Sequence, residues 1–161
     1  MEQAIISGVT HDVSEAKVTI AHVPDRPGVA ARVFRQLADE AVNVDMIVQN
    51  VSSEGRTDIS FTVPREDLNR ALKVMDAVVG EVEAAGHTHD TGIGRVSLVG
   101  AGMKTNPGVA AKMFEVLADE AVNIEMISTS TIRISCVVQE ADVERAVRAL
   151  HRAFELDTET P

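Results

Sequence analysis

Apolar positions along the chain follow two rhythms in turn. Lys17-Val18-Thr19-Ile20-Ala21 alternates with a period of two and predicts a strand. Val29, Val33, Leu37 and Ala41 then recur every four residues, with Ala30, Phe34 and Ala38 one position on, which predicts an amphipathic helix of about four turns. Asn43 is expected to end it. Val44–Gln49 and Asp58–Val63 read as strands flanking a hairpin turn at Ser52-Ser53-Glu54-Gly55. Leu68, Ala71, Leu72, Met75 and Val79 form the stripe of a second helix, and Val82 to Asp90 remains for a last strand.

The rhythm then starts again. Residues 27–47 (PGVAARVFRQLADEAVNVDMI) and 107–127 (PGVAAKMFEVLADEAVNIEMI) are identical at fifteen of twenty-one positions at a constant offset of 80. Two copies of one unit follow from this. Arg95–Val99 is the strand of the second copy, Asn106 is a candidate N-cap, and Ile127–Ile134 passes through a turn about seven residues shorter. Val143, Ala146, Val147 and Leu150 give its second helix.

Each copy reads β-α-β-β-α, one strand short of a ferredoxin-like βαββαβ fold. Copy two runs out of chain, because Asp157–Pro161 is an acidic stub expected to fray. Thr10-His11-Asp12 before Val18, however, matches Thr88-His89-Asp90 before Val96 at an offset of 78. The strand that closes copy one is thus echoed near the N-terminus by Ala4–Val9. The expected fold class is α+β: two interleaved domains, 16–92 and 93–161 plus 1–11, with the N-terminal strand completing the second. Neither half is expected to fold alone, since an uncovered sheet edge invites aggregation.

Composition narrows the function. The net charge of −10 and four Phe without Tyr or Trp argue against nucleic acid, which needs clustered cations and stacking surfaces. No apolar run is long enough for a membrane span and no secretion signal opens the chain, so no membrane partner is expected and Asn50-Val51-Ser52 is taken as a chance sequon. A lone Cys136 in an apolar strand reads as a small hydrophobe in a reducing, cytoplasmic setting. For enzymes the inventory is thin: His87-Thr88-His89 lacks a third ligand, so no metal is expected. Gly92-Ile93-Gly94 and Gly100-Ala101-Gly102 lack the rest of a phosphate loop. No catalytic residue and no cofactor is assigned.

The loop-helix junction Val23-Pro24-Asp25-Arg26-Pro27-Gly28-Val29-Ala30 is different. A helix start offers free N–H groups and a positive dipole end to a carboxylate, and Gly28 permits close approach. Asp25 can accept from an ammonium group. Asn43 and Gln49 share a face if the following strand begins at Asn43. Together these groups suit a free amino acid, although Pro27-Gly28 also fits plain helix-start geometry and Asn43 a plain helix end.

The Asp-x-Pro-Gly helix start and the Asn-Val/Ile-Asp/Glu-Met strand resemble the ACT domain, an amino-acid-sensing module. Ser14-Glu15-Ala16-Lys17-Val18-Thr19, Gln49-Asn50-Val51-Ser52-Ser53, Val96–Met103 and Ile127–Ser130 with Ile132–Ser135 resemble the tandem ACT half of aspartate kinase over essentially the whole chain. With no kinase half before Met1, the likeness is to the small regulatory beta subunit of the heteromeric type. The resemblance implies feedback inhibition by threonine, with lysine acting together with it, on a catalytic alpha subunit. It also implies a homodimer through the ACT domains, within an assembly of two alpha and two beta chains. It places the effector between the first unit of one chain and the second of its partner. Carried over, the pocket comprises Asp25, Arg26, Pro27, Gly28, Val29, Ala30, Asn43, Val44, Asp45 and Gln49 from copy one, and Asn123, Ile124, Thr129 and Ser130 from copy two. Lys104-Thr105-Asn106 stands where copy one has Asp25, so the copies are expected to be unequal. A sensor attached to another biosynthetic enzyme, or a dimerisation module alone, stays open as an alternative.

Overall fold

A computed structural model describes residues 5–103 and 106–156; Ala4, Lys104, Thr105 and the stub Asp157–Pro161 lie outside them. In chain order come β1 (Ile5–Asp12), β2 (Glu15–Pro24), α1 (Val29–Asp39), β3 (Ile47–Gln49), β4 (Arg56–Pro64), α2 (Leu68–Glu81), β5 (Gly86–Asp90), β6 (Ile93–Ala101), α3 (Gly108–Asp119), β7 (Met126–Thr129), β8 (Arg133–Gln139) and α4 (Val143–Ala153). They form two antiparallel four-stranded sheets, ordered β3-β4-β2-β5 and β7-β8-β6-β1. The chain accordingly divides into a central unit, residues 14–91, and an outer unit made of 1–13 with 92–161.

The α+β fold is thus two βαββαβ units, with the N-terminal strand completing the second. Thr10 pairs with Ser97 and Asp12 with Arg95 in the outer sheet, while Thr88 pairs with Thr19 and Asp90 with Lys17 in the central one. At the offset of 78 these are the same positions. β1 therefore occupies, register for register, the place that β5 fills in the central sheet.

Alternation sets the faces. Ala16, Val18 and Ile20 of β2 are wholly buried against Val33 and Leu37 of α1 and Ala71, Met75 and Val78 of α2. Phe34 meets Phe61 edge to face at 5.5 Å. The outer core gathers Val96, Leu98, Met113, Leu117, Ile134, Cys136, Ala146 and Leu150. The helix stripes differ slightly from expectation. In α2 and α4 the buried set is Leu68, Ala71, Val74, Met75, Val78 and Val143, Ala146, Ala149, Leu150, which leaves Leu72, Val79 and Val147 partly covered.

Helix ends correct the sequence reading most. α1 has 11 residues, three turns rather than four, and Asn43 does not end it. Ala41 does, at φ 57: its N–H donates to Ala38 O (2.9 Å) and that of Val42 to Leu37 O (3.0 Å), the paired bonds of a Schellman motif. Ala121, Glu83 and Glu155 end α3, α2 and α4 in the same way, at φ 55, 60 and 58. No glycine advertised these stops; each is held by an apolar residue after it, Val42 and Val122 being buried. An arginine repeats the device in both units. Arg70 donates to Glu40 O (3.0 Å) while pairing with Asp67, and Arg145 donates to Glu120 O (3.1 Å) while pairing with Asp142. Asn106 is not an N-cap, since the residue before α3 is Pro107 and the Asn106 amide donates to Gly102 O (2.9 Å).

β3 is also shorter than the expected Val44–Gln49. The Asp45 N–H bonds the Thr62 carbonyl (3.0 Å), as the Glu125 N–H does Val137 O (2.8 Å), and Val44 and Asp45, like Ile124 and Glu125, lie outside the strand. The Met46 N–H turns instead to the Thr62 hydroxyl (3.1 Å). Val137 stands at the matching place in the outer sheet and has no hydroxyl, and there β7 begins at Met126. The hairpin tip is Glu54-Gly55, with φ 54 and 76, a two-residue turn of type I′ closed by Ser53 and Arg56.

Deleting residues 1–12 is expected to uncover β6 and abolish cooperative urea unfolding of the outer unit, with loss of amide protection along β6. Ala41→Gly is expected to leave stability unchanged or raise it by up to about 1 kcal/mol, because relief of left-handed strain offsets the added chain entropy. Ala38→Gly, inside the same helix, should cost about 1 kcal/mol; thermal melts compare the two. Burial pushes the Cys136 thiol from 9.0 up to about 12. The folded chain therefore keeps a proton that the unfolded chain loses above pH 9. This stabilisation is full below that pH and lost as pH rises toward 12, at about 1.4 kcal/mol per unit. The measured slope should flatten by that amount in Cys136→Ala.

Candidate functional site

In the central unit, β2 leads into the loop Pro24–Gly28, which turns back to start α1. Pro27 lacks an N–H, and Gly28 takes φ 92 as the residue before the helix, a left-handed conformation costly to any side chain. The N–H groups of Ala30 and Ala31 lie in the first helical turn, where no intrahelical acceptor exists. The Asp25 N–H donates to Gly55 O (2.9 Å) and that of Arg26 to Pro24 O (3.1 Å), so the loop hangs on the hairpin tip.

Beneath this loop lies a cavity of about 360 Å³ lined by Val23, Pro24, Asp25, Arg26, Pro27, Gly28, Val29, Ala30, Gln49, Thr57 and Ile59. It joins one carboxylate, one carboxamide, a helix N-terminus and an apolar floor. The Thr57 hydroxyl is already committed to Asn50 O (2.6 Å). Arg26 lies 3.7 Å from Glu83, both exposed.

The outer unit has a counterpart of about 400 Å³, lined by Met103, Asn106, Pro107, Ala110, Thr129, Ser130, Thr131 and Ile134. No described residue among these is charged, and α3 takes Gly108 into the helix itself.

The structure therefore brings together Asp25 to Ala30 with Gln49 in one hollow, and Thr129 with Ser130 in the other. Asn43, Val44 and Asp45 lie on the segment before β3 and line neither; Val44 packs on the central core. Asn123 and Ile124 lie likewise before β7, with Ile124 on the outer core. Because β3 begins at Ile47, Asn43 and Gln49 do not share a strand face. Thr57 and Ile59 were missed. Ile59 pairs with Gln49, yet Ser53 pairs with Arg56, so one residue slips between them and counting outward from the turn misplaces the strand.

The remaining sequence candidates resolve into structure. Among the described residues no group of three or more His, Cys, Asp or Glu could hold a metal. His87 Nε2 sits 2.6 Å from Asp76 Oδ1. Gly94 is a packing glycine: a Cβ there would collide with Val143 Cγ2. No described helix is long and apolar enough to cross a membrane.

The sequence pattern of the ACT domain matches residues 18–78 and 96–154. Aspartokinase of Corynebacterium efficiens is 50% identical over 158 residues, which are 97% of this chain and 38% of that protein. Aspartate kinase of Stutzerimonas stutzeri is 52% identical over 157 residues, again 38% of its length. The chain thus spans under two fifths of the curated relatives it matches. A crystal structure of aspartokinase alpha and beta subunits superposes with a TM-score of 0.88 at 42% identity, covering 94% of this chain and 99% of the other. The ligand-free regulatory subunit of aspartate kinase from Thermus thermophilus gives 0.88 at 39%, covering 92% and 98%. With one pattern match on each unit and near-complete overlap with a regulatory subunit, the chain belongs to the ACT domain family, as a tandem pair of the kind that forms the regulatory region of aspartate kinase.

Proposed function

We propose that the chain is a non-catalytic regulatory subunit of aspartate kinase that binds threonine, in concert with lysine, and restrains a cytoplasmic catalytic alpha subunit. The observation that carries this is the hollow under Gly28, where Asp25, Gln49 and the first turn of α1 converge. Asp25 takes the ammonium group, the Ala30 and Ala31 N–H groups take the carboxylate at the positive end of the helix dipole, and Gln49 reads the hydroxyl. Val23 and Ile59 meet the methyl group. A volume of about 360 Å³ is ample for a ligand of this size.

The hollow is open on one side, and its rim residues Asp25 to Gly28 are exposed. In the proposed homodimer the second unit of the partner chain, with Thr129, Ser130, Asn123 and Ile124, closes it. Exposed Ile47 on β3 and Ile127 on β7, both strands at a sheet edge, support such association. A pocket completed by two chains favours one docked arrangement, and a difference of about 1–3 kcal/mol between arrangements is enough to control an attached kinase.

Calorimetry tests this directly. Threonine should bind in the micromolar to millimolar range, about 4–8 kcal/mol, and more tightly with lysine present. Asp25→Ala and Gln49→Ala should each weaken threonine more than tenfold while keeping the urea midpoint. Heat with another amino acid alone would point to a sensor for a different enzyme, and heat with none to a dimerisation module. Unchanged affinity in both variants would remove the pocket assignment.

A further inference from the structure

Arg56 does not line the hollow, yet it is bonded to the segments that shape it. β2 carries one extra residue between Ile20 and Val23, which pair with Ile59 and Thr57. His22 sits in that bulge at φ 52, a conformation unfavourable for a side chain larger than glycine. It is clamped at both ends. Its N–H donates to Asp58 Oδ1 (2.9 Å), and its carbonyl accepts from Arg56 Nη1 (2.7 Å). The same Nη1 donates its other hydrogen to Glu83 O (2.8 Å), the left-handed residue that ends α2.

One guanidinium nitrogen therefore ties the β2 bulge, where His22 stands three residues before Asp25, to the end of α2. The Asp25 loop has a second tether on the same hairpin, since Gly55 O holds the Asp25 N–H (2.9 Å). No described residue of the outer unit repeats this brace. Continuing the β6–β8 register beyond Val99 and Arg133 sets Ile132 against Gly100, whose N–H it accepts (2.9 Å), and puts Thr131 where the central unit has Arg56. Gly100 stands at the His22 position and has no left-handed φ. Brace and carboxylate thus occur in the same unit.

We propose that Arg56 is a positioning residue of the amino-acid hollow: by holding the His22 and Glu83 carbonyls it fixes the direction in which the chain delivers Asp25. This rests on the reading of the hollow given above. A lysine ammonium also has hydrogens for two carbonyls, but its nitrogen ends a shorter side chain and is not held in a rigid plane, so it keeps the two bonds less well.

The test compares Arg56→Met, Arg56→Lys and Arg70→Met with the unaltered chain, using threonine as the calorimetric probe. Arg70 braces the end of α1 with the same chemistry, away from the hollow. Arg56→Met should weaken threonine about tenfold and raise amide exchange at Asp25, with Val18 and Phe61 still protected. Arg56→Lys should fall between it and the unaltered chain. Arg70→Met should lower the urea midpoint but keep affinity within twofold. Equal threonine affinity in Arg56→Met and the unaltered chain overturns the role of Arg56, as does equal loss in Arg70→Met. An unaltered chain that binds no amino acid fails before any variant is made, and it overturns the reading of the hollow instead.

Discussion

The pairing of Ile5–Asp12 with Ile93–Ala101 is what makes two domains of a chain that encodes one unit and most of another. A sheet of three strands ending at β6 would expose the N–H and C=O groups of a nine-residue strand. The fourth strand arrives instead from the far end of the sequence, more than eighty residues away, in the register that β5 adopts within the central unit. Closing so long a loop costs entropy but little more than a shorter one would, since the cost grows only with the logarithm of length. One consequence is that the central unit has both its ends joined to the outer one. β1 passes into β2 through Val13 and Ser14, and β5 into β6 through Thr91 and Gly92.

The two copies share a scaffold down to single interactions. The hydroxyls of Thr19 and Ser60 meet at 2.8 Å across β2 and β4, and those of Ser97 and Ser135 at 2.7 Å across β6 and β8. The arginine that caps the first helix recurs, as do the left-handed alanines that stop it. Divergence is concentrated in the connection between the second and third strands of each unit and in the loop it supports. The long hairpin of the central unit supplies Gly55 O and Arg56, the short turn of the outer unit supplies neither, and the hollow with a carboxylate is the one beside the long hairpin.

Much of this was legible in residue order. The 80-residue repeat gave the duplication, the Thr-His-Asp echo gave the origin of the closing strand, and the Pro-Gly junction gave the rim of the hollow. What escaped has a common cause: backbone groups satisfied by partners that periodicity does not encode. Ala41 ends α1 because Leu37 and Ala38 carbonyls and a buried Val42 hold it there, so a scan for Gly or Asn passes over it. Thr62 takes the Met46 N–H with a hydroxyl that looks like any other strand residue, and β3 starts one residue later than β7 does at the offset of 80. The slip between Gln49 and Ser53 hid Thr57 and Ile59.

The helix starts carry the argument one step further. Both copies read Pro-Gly-Val-Ala-Ala, so propensity is the same in each, yet Gly28 stands outside its helix at φ 92 while Gly108 is the first residue within its own. The five shared residues cannot produce that difference; what leads into them can, since Asp25-Arg26 precedes Pro27 and Asn106 precedes Pro107. In the central unit the chain reaches Pro27 from Asp25, whose N–H is fixed to Gly55 O, and Gly28 must turn through the left-handed region to enter the helix. Only glycine does so without about 1–2 kcal/mol of strain. The duplicated segment is thus a common part, and in the central unit the hairpin beside it holds the loop through which its first turn is entered.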